Sequence, residues 1–371
     1  MATSLSTYTS NRNNNFNLIR FLAASLVIYS HSFAIALGSG DTEPLKTLVG
    51  FTFGTFAVDV FFVSSGFLIT SSYLARNNLV AFAWARALRI YPALIVAMLI
   101  CVFGVGLAFT ELESLAYLTD KHTYWYLLRN ITLITGVEHH LPGVFEQQPF
   151  PKAVNGSIWT LPYEIKMYIL VALALLVTSA LNSRVKWLTF KSSLLVLAVL
   201  STALTFYDHF VGIGAAKNNF VHLFAMFFIG ASYFVWKDKV MLSSKLAGIA
   251  SIVLAVSAFN KELFIVSYFI TVPYLVLFLA YVPKGAILKF NNFGDYSYGI
   301  YIYAFPVQQM LVYFFPEIGV PIMTIATFLV VLGLASLSWH LVEKPTLKMK
   351  NGYVVIERYI QQVSNKKSAS A

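Results

Sequence analysis

The sequence predicts an all-α, polytopic membrane protein of about ten transmembrane helices, with both termini on the cytoplasmic side. Three observations predict it. Apolar residues fill 58% of the 371 positions and charged residues only 11%, against roughly 45–50% and about 25% in soluble domains. The apolar residues collect into runs near the length of about 20 that a helix needs to cross a bilayer, and mean hydropathy is +0.71. Lys and Arg alternate between sparse and dense along the loops that separate those runs. An ordinary soluble enzyme, a disordered chain and a secreted disulfide scaffold are excluded together. The single cysteine, Cys101, forms no intrachain disulfide.

The runs cover 16–37, 53–74, 88–109, 157–180, 191–208, 219–236, 245–260, 262–281, 296–315 and 318–341. The first carries Arg20 and His31 behind a long polar lead, Asn11 to Asn17, so it reads as a retained helix and not as a cleaved leader. The longest loop, 110–156, contains Tyr124-Trp-Tyr-Leu-Leu-Arg129, which is too short and too charged to span and predicts an interfacial helix. The fifth and seventh runs are the shortest and least apolar. Only Asn260–Lys261 separates the seventh from the eighth, which predicts a tight helical hairpin. No internal repeat or appended soluble domain is visible. One membrane domain, 1–345, is expected, followed by a basic cytoplasmic tail, 346–371.

Charge tests the count. With the N-terminus inside, eighteen of the 26 Lys and Arg fall on inside segments, six on outside loops and two, Arg20 and Lys166, within runs. Such a bias supports an N-in chain with an even number of spans. The net charge of +10 therefore reflects cytoplasmic loops. It favours membrane lipid or an anionic cytosolic ligand over nucleic acid.

Ionisable residues inside a span cost a few kcal/mol and are functional candidates by default. The span interiors hold Arg20, His31, Asp59, Glu164 and Lys166. Arg20 and His31 are eleven residues apart, hence on one helix face and roughly 16 Å apart along the axis. Counted from the run ends, His31, Asp59 and Glu164 share one depth, about 10 Å below the outer surface. A histidine beside a carboxylate is held in one tautomer and its basicity rises, the minimum needed to take a proton from a hydroxyl. Each has a plainer reading too: packing for His31, charge balance for Asp59, a local pair with Lys166 for Glu164, snorkelling for Arg20. Lys166, His340 and Glu343 read as local or structural. His139-His140 lacks the companions of a metal site.

Near the inner side, Arg86 and Arg89 form an i, i+3 guanidinium fork suited to phosphate, beside the plainer role of a positive-inside anchor. Opposite chemistry at the two faces suggests a donor from the cytosol and an acceptor from outside. Ser64-Ser65-Gly66 and Ser297-Tyr298-Gly299 permit close backbone approach, which suits either ordinary helix packing or a thin acyl–pantetheine arm between helices.

These residues resemble a specific pattern. Arg20 and His31 resemble the Arg-x10-His motif of the acyltransferase-3 family of integral-membrane O-acyltransferases, above all the bacterial members that acetylate O-antigen and other envelope or exported glycans. Asp59-Val-Phe-Phe-Val-Ser-Ser65-Gly66-Phe, Arg86-x-x-Arg89, Trp159-Thr-Leu-Pro-Tyr-Glu164, Ser297-Tyr298-Gly-Ile-Tyr301 and Glu343-Lys-Pro345 are similar to its further motifs, in order and across nearly all ten spans. The resemblance implies transfer of an acetyl group from cytosolic acetyl-CoA to a sugar hydroxyl of O-antigen, lipopolysaccharide or exopolysaccharide, free or lipid-linked, at a bacterial inner membrane. It implies His31 as general base, or else as a transient acyl carrier, with Glu164 and Asp59 orienting it or the acceptor. It assigns the donor to Arg20, Arg86 and Arg89, with Ser65, Ser297 and Tyr298 along the acyl arm, and Trp159 to the sugar ring; no metal is called for. Many members carry a histidine where this chain has Ala304-Phe305-Pro306, so no second histidine is offered there. Many also continue into a soluble esterase-like domain, which this chain is expected to lack. Two rival classes use the same charges: a transporter or flippase with a His/Asp/Glu proton relay, which calls for inverted repeats, and a non-catalytic scaffold.

Overall fold

Each of the ten apolar runs contains a helix, because a backbone in hydrocarbon must satisfy its own hydrogen bonds. The computed structural model describes residues 2–10, 13–76, 78–181, 189–212 and 219–369. Arg12, Arg184, Lys186 and Lys217 of the charge count lie outside the described residues. The principal helices are α1 (Phe16–Leu37), α2 (Phe53–Arg76), α3 (Leu79–Leu99), α4 (Lys121–Thr132), α5 (Leu161–Leu181) and α6 (Phe190–Val211). They continue with α7 (Asn219–Val235), α8 (Ser244–Ser257), α9 (Lys261–Tyr281), α10 (Ser297–Phe314), α11 (Val320–Ser338) and α12 (Tyr353–Ala369). Among the described residues seven helical stretches are long and apolar enough to cross a membrane, and α7 and α8 are shorter apolar helices. The chain is a multi-pass membrane protein. One two-residue antiparallel pair, β1 (Thr3–Ser4) with β2 (Met241–Leu242), is the sole sheet among the described residues.

Helix α10 differs from its neighbours because it faces protein on nearly every side. Fourteen of its eighteen residues are buried, so it tolerates Gln308 and Gln309, which bond to Ile28 O and to Phe150 O and Ala153 O at 2.8 Å. Helix α3 starts at Leu79, nine residues before the predicted run, because Asn78 caps it by accepting from Ala81 N. Arg86 and Arg89 therefore both sit inside the helix. Asn260 caps α9 in the predicted hairpin. The amphipathic helix expected in the long loop is α4, capped by Asp120. The expected tail carries α12, which reaches the start of α3 where Asn78 donates to Glu357 at 2.6 Å.

Two glycines set the closest crossing. A Cβ on Gly66 of α2 would lie 1.9 Å from Phe227 O, and one on Gly230 of α7 2.1 Å from Val63 O. Small residues facing each other let two backbones touch, so Gly66 serves helix packing. Gly299 does the same against Ala335 of α11.

The segment before α5 descends between the helices. Asn155 Nδ2 donates to Ile302 O at 2.9 Å, and a Cβ on Gly156 would meet the Phe305 ring at 2.4 Å. Irregular backbone at this depth is tolerated because it is buried in protein. A hydropathy count that treats 157 as an outer boundary thus places Glu164 too shallow.

Candidate active site

A cavity of about 430 Å³ opens between α1, α2, α3, α5 and the start of α10. Its walls bring together Arg20, Ser65, Arg86, Arg89, Glu164, Ser297 and Tyr298, all of them residues read from sequence. One end is an ion cluster. Arg89 Nη2 lies 2.6 Å from Asp295 Oδ2 and Nη1 3.2 Å from Glu343 Oε2. Arg20 Nη1 reaches the same Asp295 oxygen at 3.2 Å. Pairing of this kind offsets the cost of burying the charges. Asp295 precedes α10 and also accepts from the Ser297 hydroxyl at 2.5 Å. Burial works to raise its carboxyl, but the guanidiniums of Arg89 and Arg20, with Ser297, outweigh it and hold it at about 2.

The two arginines of the fork therefore differ. Arg89 is held by carboxylates, and it also stacks on the Tyr298 ring, 5.6 Å from its centroid. The buried Arg86 Nε has no hydrogen-bond partner. Arg86 faces the cavity without a salt bridge among the described residues, as an anion-binding guanidinium would. Of the two guanidiniums of the expected fork, one is thus committed to internal carboxylates and one is open to the cavity.

Deeper in, Glu164 accepts from the Tyr168 hydroxyl one turn along α5 and from the Ser65 hydroxyl at 3.3 Å. Thr160 and Tyr301 share a hydrogen bond at 2.7 Å where the lining ends. One turn beyond Tyr301 on α10, Phe305 meets the His31 ring edge-on with centroids 5.3 Å apart. His31 is thus not part of the lining, and the residue it packs on lies about 6 Å along α10 from Tyr301. Its Nδ1 is buried and has no hydrogen-bond partner.

The expected convergence of His31 with two carboxylates is not what the side chains do. Asp59 is fully buried on another face of α2, with His222 Nε2 at 2.8 Å and the Tyr268 hydroxyl donating at 2.8 Å. Glu164 meets α2 at Ser65, six residues and about 9 Å along the axis from Asp59, because the chain before α5 has already descended. Trp159 packs against Tyr163, with ring centroids 5.8 Å apart, and is not part of the lining. The Tyr298 hydroxyl donates to Ile90 O at 2.9 Å. Lys166 lies over the Tyr163 and Phe220 rings, a local arrangement as read. His139 and His140 bond to Asn155 O and Glu146, each at 3.0 Å, and the described residues hold no group that would bind a metal.

Four participants escape a sequence reading. Asp295 lies just outside a run, so a search for intramembrane charge passes over it. His222 opens a helix without charged neighbours. Tyr168 is one of 21 tyrosines, although its i, i+4 spacing from Glu164 was available as a signal. Tyr268 has no such spacing to its carboxylate.

The helices form a membrane bundle around an arginine-rich cavity, with a histidine beyond its end. The chain belongs to the acyltransferase-3 family, whose acyltransferase domain matches residues 13–340. It is similar to an O-acetyl transferase of Shigella phage Sf6, 29% identical over 90% of this chain and 96% of that protein. Nodulation protein 10 of Rhizobium leguminosarum bv. viciae is 26% identical over 94% of this chain and 96% of its own length. O-acetyltransferase OatA of Staphylococcus aureus is 22% identical over 80% of this chain and 53% of its own length. No solved structure matches. Family membership decides for an enzyme over the transporter and scaffold readings.

Proposed function

We propose that this chain is an O-acetyltransferase that moves acetyl from cytosolic acetyl-CoA to a sugar hydroxyl of an envelope or exported glycan at a bacterial cytoplasmic membrane. In this reading residues 1–345 form the acyltransferase domain, 346–371 the basic tail, and both termini with the arginine end face the cytosol. The observation that carries it is the cavity running from Arg86 to Tyr301, one turn of α10 short of Phe305, on which His31 packs. Arg86 attracts the donor's phosphates at the mouth. The pantetheine arm lies along Ser65, Ser297 and Tyr298, and a volume of about 430 Å³ falls within the range of small-ligand pockets. Glu164, held by Tyr168 and Ser65, positions the arm or the acceptor.

His31 Nδ1, unpartnered in the protein, accepts the proton of the sugar hydroxyl as its oxygen attacks the thioester carbonyl. The carbon–sulfur bond then breaks, the thiolate leaves, and the proton passes from His31 to sulfur. This is general-base acyl transfer. The two O-acetyltransferase names among the relatives support acetyl as the group. The test incubates membranes with labelled acetyl-CoA and host glycan, wild type beside His31→Ala, with thermal unfolding as the folding control. Label should move to glycan in wild type and fall at least a hundredfold in the variant, in the range of lost acid–base catalysis. Undiminished transfer in His31→Ala removes the base assignment, and no transfer by wild type removes the acceptor.

A further inference from the structure

A second concavity lies away from the cavity, between α6 and α7. It encloses about 530 Å³ and is walled by Leu195, Val199, Ala203 and Phe206 on α6 and by Ile229 and Tyr233 on α7. Helix α6 faces lipid: 17% of its apolar window is buried, the least of the seven long stretches, and Val199 is 58% exposed. From Leu195 to Phe206 the groove runs eleven residues, about 16 Å, close to one leaflet of a hydrocarbon core about 30 Å thick.

The groove is apolar apart from a buried hydroxyl toward one end. Ser232 lines it at 8% exposure, and its hydroxyl has no hydrogen-bond partner. A buried hydroxyl without an acceptor is unfavourable, so this donor calls for an acceptor from outside the chain. One turn on, Trp236 edges the groove, and Lys237 and Lys239 follow with Asp238 between them. Lys191 stands at the start of α6, at the same end. An indole beside lysines at a helix end matches the headgroup level of a membrane, and excess positive charge there selects anionic lipid.

We propose that this groove is a binding site for one anionic glycerophospholipid of the leaflet at the arginine end. An acyl chain lies along α6, an ester carbonyl accepts from the Ser232 hydroxyl, and the phosphate rests between Lys237 and Lys239. A polyprenyl phosphate, with a chain several times longer, would leave most of its length outside a groove one leaflet deep.

Native mass spectrometry of the full chain, delipidated in detergent and titrated with phosphatidylglycerol or phosphatidylcholine, tests this. Wild type should take up one phosphatidylglycerol ahead of phosphatidylcholine. Ala203→Trp, which fills the groove, should lower that affinity at least tenfold. Lys237→Ala with Lys239→Ala should reduce the preference for phosphatidylglycerol on the order of thirtyfold while leaving phosphatidylcholine binding in place. Lys239 is exposed, whereas Lys237 is half-buried over the Phe234 ring, 4.6 Å from its centroid, so Lys239→Ala alone, which leaves the core untouched and should cut the preference about fivefold, decides the matter even where the other variants fail to fold. Equal binding of the two lipids by wild type, or unchanged binding by these variants, overturns the proposal. So does polyprenyl phosphate retained in place of phospholipid, or a disulfide dimer from Val199→Cys in membranes, which would make the occupant a second copy of this chain.

Discussion

Replacing Arg89 and Arg86 separately should split stability from donor binding. Arg89→Ala removes the guanidinium that faces Asp295 at 2.6 Å and Glu343 at 3.2 Å. Glu343 is 2% exposed, and Arg20 remains only for Asp295. Removing one partner of a buried pair costs about 3–5 kcal/mol, enough to abolish much of the folded population of a marginally stable chain. Arg86 has no such partner, so Arg86→Ala should leave the melting temperature nearly unchanged. It should instead remove a charge-assisted contact of about 1.5–3 kcal/mol to the donor phosphates, which raises the KM for acetyl-CoA by about tenfold to a hundredfold. The assay is thermal unfolding in detergent beside a donor titration at saturating glycan. If Arg86→Ala melts as early as Arg89→Ala, or if its donor KM equals that of wild type, the division of roles is wrong.

Three further outcomes follow from the geometry. Gly66→Ala should lower the melting temperature on the order of 5 °C or abolish expression, since its Cβ would sit 1.9 Å from Phe227 O; a wild-type melting curve would refute the crossing. Asp59→Ala strands the His222 imidazole and the Tyr268 hydroxyl and should cost about 2–5 kcal/mol, whereas folded Asp59→Asn should keep activity within about tenfold of wild type; a stable but inactive Asp59→Asn would return this carboxylate to the chemistry. Asp295, held at about 2 against an ordinary 3.8, contributes stability that is complete above the unfolded value and lost as pH falls through the folded one. The difference in melting temperature between wild type and Asp295→Asn should therefore stay flat from about pH 5 to 8, and a difference that shrinks within that window would contradict the ion cluster.

The helices were legible because lipid leaves the backbone no other solution and demands long apolar runs. Helix α10 was legible from its run alone, although protein and not lipid surrounds it. The arginines, Ser65, Glu164, Ser297 and Tyr298 were legible as charged or small residues in otherwise apolar helices, and the fold gathers them around one cavity. The partner of Asp59 was not, since His222 is 163 residues away and no periodicity links the two. The depth of Glu164 was misread because hydropathy counts residues and not the path of the backbone. The inequality of Arg86 and Arg89 was hidden for the same reason as Asp295: a carboxylate just outside a run reads as an ordinary loop residue.

In the proposed reading, the packing of Asn155 and Gly156 against α10 would leave only a thin wall between the donor side and the acceptor side. From Tyr301, bonded to Thr160, to Phe305, on which the His31 ring packs, is a single turn of α10. Reactants approaching from opposite waters would need to meet only across that septum, so neither bulky partner has to be carried through the bilayer for the acyl group to change hands.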